Sequence, residues 1–108
     1  MKLTKAQQEV LTDAKQSIDM ARSYETYEEY EYNTNHFWRG RYTFEEAKEL
    51  IKRNDESGFY RGWYEKRRRG ITLVTANTKT ITKLAEYGLI EVINEGGTYP
   101  DTIRVIGY

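Results

Sequence analysis

Two stretches of this 108-residue chain carry the side chains best suited to chemistry, and both suit binding rather than bond-making. The first is Phe59–Gly70, in which Arg61, Lys66, Arg67, Arg68 and Arg69 are interleaved with Phe59, Tyr60, Trp63 and Tyr64. Basic side chains neutralise phosphates, and aromatic rings stack on bases or anchor the segment that carries them. A short helix with Phe59, Tyr60, Trp63 and Tyr64 turned inward would leave the basic ladder outside. The same composition also reads as core aromatics followed by a solvated basic turn. The second stretch is Tyr24, Glu25, Tyr27, Glu28, Glu29, Tyr30, Glu31 and Tyr32. An acidic, aromatic surface of this kind suits a basic groove on another protein, because tyrosine supplies contact area with a polar tip. Its plainer reading is a solvated segment whose tyrosines lie partly on the core.

Bond-making chemistry lacks its parts. There is no cysteine, so neither a disulfide nor a cysteine-based metal site can form. The single histidine, His36, has no partner at motif spacing, and a zinc site would need carboxylates for every other ligand. Gly96-Gly97 lacks the lysine and following helix of a nucleotide loop. No nucleophile with an activator is evident either. A non-enzymatic protein without cofactor or metal is expected. The apolar runs are too short for a membrane span, and Met1–Gln8 has no apolar signal-peptide core, so a cytoplasmic location is expected.

Charge is balanced overall, with 17 basic and 17 acidic residues, which disfavours a purely non-specific nucleic-acid binder. Its distribution is polarised. Residues 1–35 carry 4 basic and 7 acidic side chains, whereas residues 36–70 carry 10 and 6.

The elements that would position these stretches follow from capping residues and apolar spacing. A first helix is predicted from Leu3 to about Arg22, with Thr4 and Gln7 at capping-box spacing and Val10, Leu11, Ala14, Ile18 and Ala21 on one stripe. Residues 23–42 form an acidic and aromatic connector whose tyrosine spacing fits either a helical extension or a strand. Thr43 and Glu46 repeat the capping box ahead of a helix buried through Phe44, Ala47, Leu50 and Ile51. After a β-type run, Ile71–Val74, a third helix is predicted over residues 77–87, with Thr75 or Asn77 as its N-cap and Gly88 as its stop. Ile81, Leu84 and Ala85 face inward, Thr78 lies at the edge, and Lys79, Thr82, Lys83 and Glu86 point away. Leu89–Ile93 and Thr102–Ile106 pair as a hairpin over residues 89–108, with turn residues Asn94–Asp101 between them.

This order resembles the winged helix-turn-helix superfamily, and in particular small phage and prophage proteins of that design. The residues that carry the resemblance are Leu3, Thr4, Lys5, Ala6, Gln7, Val10 and Leu11, then Thr80, Ile81, Leu84, Gly88, Leu89 and Ile90, with Tyr99-Pro100 and Ile103–Val105 in the wing. It spans roughly the first 20 and last 40 residues and leaves the middle uncovered. What it implies is a single α+β domain over 1–108, winged-helix-like, with three to four helices, a C-terminal hairpin wing and an enlarged middle segment.

The resemblance also implies that the outer face of the 77–87 helix enters the major groove, nominating Thr78, Lys79, Thr82 and Lys83. The expected function is therefore a DNA-binding regulator or replication accessory of phage or mobile-element type, working in a bacterial host cell. Double-stranded DNA is the expected partner ahead of single-stranded, with Arg61, Lys66, Arg67, Arg68 and Arg69 holding the backbone. The alternative is a non-enzymatic inhibitor or adaptor that binds a host or defence protein through residues 24–32. The two readings assign function to opposite ends of the molecule. A homodimer through the first helix and its tyrosine-rich extension fits either one.

Overall fold

The computed structural model describes residues 2–94 and 101–108. Its first element, α1 (Lys5–Arg22), starts just after the predicted Thr4 cap rather than at Leu3. Thr4 accepts from the Gln7 N–H at 3.2 Å while the Gln7 side chain accepts from the Thr4 N–H at 2.9 Å, so two orphan donors are satisfied reciprocally. The chain then runs through α2 (Tyr27–Thr34), α3 (His36–Arg39), α4 (Phe44–Asn54) and α5 (Phe59–Arg68). Strand β1 (Ile71–Val74), helix α6 (Thr78–Glu86) and strands β2 (Ile90–Asn94) and β3 (Asp101–Val105) complete the described residues. The fold is α+β, with six helices and a three-stranded antiparallel sheet, an arrangement compatible with a winged-helix-like fold.

Two expectations are corrected here. Three to four helices become six, because the presumed connector 23–42 contains two of them. It neither prolongs the first helix nor forms a strand. Ser23 caps α1, and Thr26 then starts α2 afresh by accepting from the Glu29 N–H at 3.2 Å. Asn35 ends α2 and caps the single turn of α3 through the Phe37 N–H. Helix α6 also departs from a tight helix-turn-helix, in which a short turn joins two helices. The element just before it is strand β1.

The sheet has strand order β1-β3-β2. Ile71 lies opposite Arg104 and Val74 opposite Asp101, while Ile90 lies opposite Val105, with an irregularity between Val92 and Asn94. The expected turn Asn94–Asp101, with Gly96-Gly97 and Tyr99-Pro100, falls largely outside the described residues. Alternation along β1 turns Thr72 and Val74 inward. The buried Thr72 hydroxyl is satisfied by Ser17 Oγ at 3.0 Å.

The molecule is elongated, 49 × 25 × 22 Å, and has two cores. One is Val10, Ala14, Ile18, Val74, Ile81, Leu84, Ile90, Ile103 and Val105, between the first part of α1, α6 and the sheet. The other is Ala21, Tyr27, Trp38, Ala47, Ile51 and Tyr64, between the end of α1 and helices α2–α5. Helix α1 is the shared spine. The enlarged middle segment is therefore a helical lobe with its own aromatic core, packed on the end of α1. Phe44 and Leu50, expected in the buried stripe of α4, are only half-buried, and Ala47 and Ile51 make its deepest contacts. No helix among the described residues is long and apolar enough to cross a membrane.

Candidate nucleic-acid interface

Helix α6 is held firmly and leaves one face free. Asn77, not Thr75, is its N-cap and accepts from the Thr80 N–H at 2.8 Å. Ile81 and Leu84 are buried against α1 and the sheet. At the far end Gly88 takes a φ of +75°, a left-handed position that costs glycine nothing sterically, and the Leu89 N–H returns to the Leu84 carbonyl. Thr78, Lys79, Thr82 and Lys83 are all exposed. Lys83 lies 3.3 Å from Glu86, so Lys79 is the cation of this face without an ion-pair partner among the described residues.

The surroundings of α6 are mixed in charge. A cleft of about 420 Å³ separates its first turn from α1, with Asn77 and Thr80 on one wall and Glu9 and Asp13 on the other. Those carboxylates favour cations beside the helix start, although the N-terminus itself favours anions. On the hairpin, Arg104 lies 3.7 Å from Glu91.

Helix α5 does not carry the outward basic ladder the sequence suggests. Gly58 begins it without a side-chain cap, and buried Asp55 substitutes by accepting from the Tyr60 and Arg61 N–H groups, each at 2.9 Å. Tyr64 alone among its aromatics is fully buried. Phe59 and Tyr60, expected inward, are 60% and 56% exposed and meet edge to face. Helical geometry accounts for Phe59, which five positions before Tyr64 faces nearly the opposite way; Tyr60, four positions before, lies on the Tyr64 side but borders an open cleft rather than the core.

The basic residues of α5 then divide. Arg61 pairs with Glu28 of α2. Arg68 donates through Nη1 to the Ala21 and Tyr24 carbonyls and to the Tyr64 hydroxyl. Arg67 reaches the Tyr30 hydroxyl at 3.5 Å. Lys66 lies over the Trp63 ring, 4.5 Å from its centroid. Arg69, just past the helix, is exposed. Arg61 and Arg68 are thus fasteners of the helical lobe rather than free phosphate contacts.

The acidic stretch is likewise occupied. Tyr27 and Glu28 are buried, not solvated. Glu31 accepts from Trp38 Nε1 at 2.8 Å and from Asn35 Nδ2 at 2.9 Å. Tyr32 donates to the Tyr42 carbonyl, and Tyr24, Tyr27 and Tyr30 cluster around Tyr64 or one another with ring centroids 5.2–6.4 Å apart. Glu25 is left exposed and Glu29 half-buried. Burial pushes the Glu28 carboxyl up, but the Arg61 hydrogen bond, a backbone hydrogen bond and the Arg61 and Lys52 charges outweigh it and hold it below the usual range. The same hydrogen bond raises Arg61.

The acidic and basic stretches therefore face one another and do not lie at opposite ends. The basic run and the α6 face are not joined: α5 packs on α1 and β1, whereas α6 packs on α1 and β2. Comparison with protein families, with curated proteins and with solved structures found no match. Among the described residues, no three histidine, aspartate or glutamate side chains gather as a metal would require.

Asp55, Trp38 and Tyr108 hold the fold through contacts that no local spacing announces. Tyr108 donates to Asp19, and Lys15 and Arg22 lie against its ring, each 5.3 Å from the centroid. A signal for the lobe contact was present in the opposite net charges of residues 1–35 and 36–70.

Proposed function

We propose that the chain is a small winged-helix-like DNA-binding protein, a regulator or replication accessory of phage or mobile-element type, that presents α6 to the major groove. One observation carries this reading. Thr78, Lys79, Thr82 and Lys83 share an exposed face on a helix whose opposite face is locked by Ile81 and Leu84. A rigid helix with a short polar and basic outer face is what groove entry requires. The backbone grip is narrower than the whole 61–69 run. Lys66 and Arg69 are its exposed members, while Arg61 and Arg68 serve the lobe. Binding should fall with salt, since each neutralised phosphate releases counterion. An electrophoretic shift with random-sequence double- and single-stranded DNA over a salt series tests this. Absence of any shift at low salt removes the proposal.

A second reading, a non-enzymatic inhibitor or adaptor for a host or defence protein, is favoured by the exposed Phe59–Tyr60 pair. Exposed aromatics of this kind are common anchors at protein interfaces. Of the acidic residues expected to serve it, Glu25 and Glu29 remain available. On this reading Glu25→Lys with Glu29→Lys abolishes partner capture, and unchanged capture removes the idea.

A further inference from the structure

The helical lobe holds a cleft of about 390 Å³ between α2, α3 and α5. Its wall includes Tyr27, Tyr30, Glu31, His36, Tyr60 and Arg67. Its size lies in the range of small-molecule sites. What distinguishes it is the state of Arg67. A guanidinium carries five N–H donors and no acceptor. Nε of Arg67 is buried with no hydrogen-bond partner, and Nη1 meets the Tyr30 hydroxyl only at the 3.5 Å limit. No carboxylate among the described residues lies within ion-pair distance. Its helix neighbours differ sharply: Arg61 has Glu28, and Arg68 has two carbonyls and a hydroxyl. Beyond the Trp63 ring, whose centroid lies 5.9 Å from the guanidinium carbon, and the long contact to Tyr30, Arg67 has no charged partner among the described residues, and such a half-buried cation suits an anion.

Glu31 does not fill that role. Its Oε2 is taken by Trp38 and Asn35 on the α3 side. The remaining wall is formed by three tyrosines together with Thr34, Asn35 and His36. Tyr27 is buried, and burial, with the nearby Glu31 and Asp55 charges, raises its phenol, so it stays neutral. Tyr60, more than half exposed, stands at the rim with its backbone pinned by Asp55. A guanidinium beside flat rings matches a ligand with an anionic group next to a planar one: the guanidinium takes phosphate oxygens, and a ring accepts a base on its face.

We infer that the cleft between α2, α3 and α5 is a nucleotide site, with Arg67 taking the phosphate and Tyr60 stacking on the base. This site is separate from the α6 face and stands without it. The nucleotide comes either free or as one unit of a single strand.

Calorimetric titration of the full chain with adenosine monophosphate, inorganic phosphate and a 5′-phosphorylated single-stranded oligonucleotide tests the inference. The nucleotide binds saturably and more tightly than inorganic phosphate. Arg67→Gln weakens it by about tenfold or more, as expected for a lost charge-assisted hydrogen bond. Tyr60→Ala removes an exposed ring, so the chain folds, and it weakens the nucleotide by about fivefold or more while leaving phosphate unchanged. Tighter binding of the oligonucleotide, sensitive to the same two substitutions, identifies the strand as the source; equal or weaker binding identifies the free nucleotide. The inference is overturned if neither nucleotide nor oligonucleotide binds saturably, or if Tyr60→Ala binds nucleotide like the native chain. It is also overturned if folded Arg67→Gln does so, or if phosphate binds as tightly as the nucleotide.

Discussion

Glu28 and Arg61, 33 residues apart in the chain, join α2 to α5 by an ion pair whose carboxylate end is buried and whose guanidinium end is partly in water. That asymmetry decides how the pair fails. Arg61→Ala strands a buried carboxylate, whereas Glu28→Gln leaves a guanidinium that solvent can reach. We expect Arg61→Ala to lower stability by about 2–3 kcal/mol, below the full cost of breaking a buried pair because of that exposure. Glu28→Gln should cost about 1 kcal/mol, the loss of one charge-assisted hydrogen bond. Urea unfolding of the two variants measures the difference, and equal costs would contradict the assignment.

The pair also sets an acid limit. The Glu28 carboxyl is held below the usual carboxylate range in the folded chain, so the unfolded chain binds its proton at higher pH. The stabilisation is therefore complete above the ordinary carboxylate range and is lost as pH falls through that range to the lowered folded value. Midpoints of urea unfolding should drop across this interval in the native chain. They should drop less in Glu28→Gln, which has no carboxylate to protonate there.

Local chemistry explains which elements were legible. The capping boxes at Thr4/Gln7 and Thr43/Glu46, the Asn77 cap and the Gly88 stop act over three to five residues, and each defines a helix end found in the structure. Helix α2 is ambiguous between helix and strand in the sequence because its eight residues, YEEYEYNT, carry no clean apolar stripe, so tertiary contact with Tyr64 decides its form. The site was less legible than the fold. Whether an arginine serves phosphate or its own lobe depends on partners such as Tyr24 and Ala21, more than 40 positions away from Arg68. No periodicity encodes that.

Arg68 and Arg69 are adjacent and alike in sequence, and opposite in expected effect. Arg68 satisfies the carbonyls of Ala21 and Tyr24 at the junction of α1 and α2. Arg68→Ala should destabilise the chain by about 1.5–3 kcal/mol, the cost of hydrogen bonds to a charged group. Arg69→Ala, at an exposed position, should stay within about 0.5 kcal/mol of the native chain. Thermal unfolding compares them, and any DNA-affinity loss in Arg68→Ala should be read only after its folding is checked.

The most direct measurement of the proposed function is the affinity of folded native chain and of Lys79→Ala/Lys83→Ala for double-stranded DNA across a salt series. Both lysines are exposed, and neither contributes to the cores, so the variant should unfold like the native chain. Native affinity should fall steeply with salt, and the variant should bind more weakly with a salt slope shallower by about 1–2. Native chain that shifts no DNA at low salt, or a variant that binds as tightly and with the same slope, would contradict it.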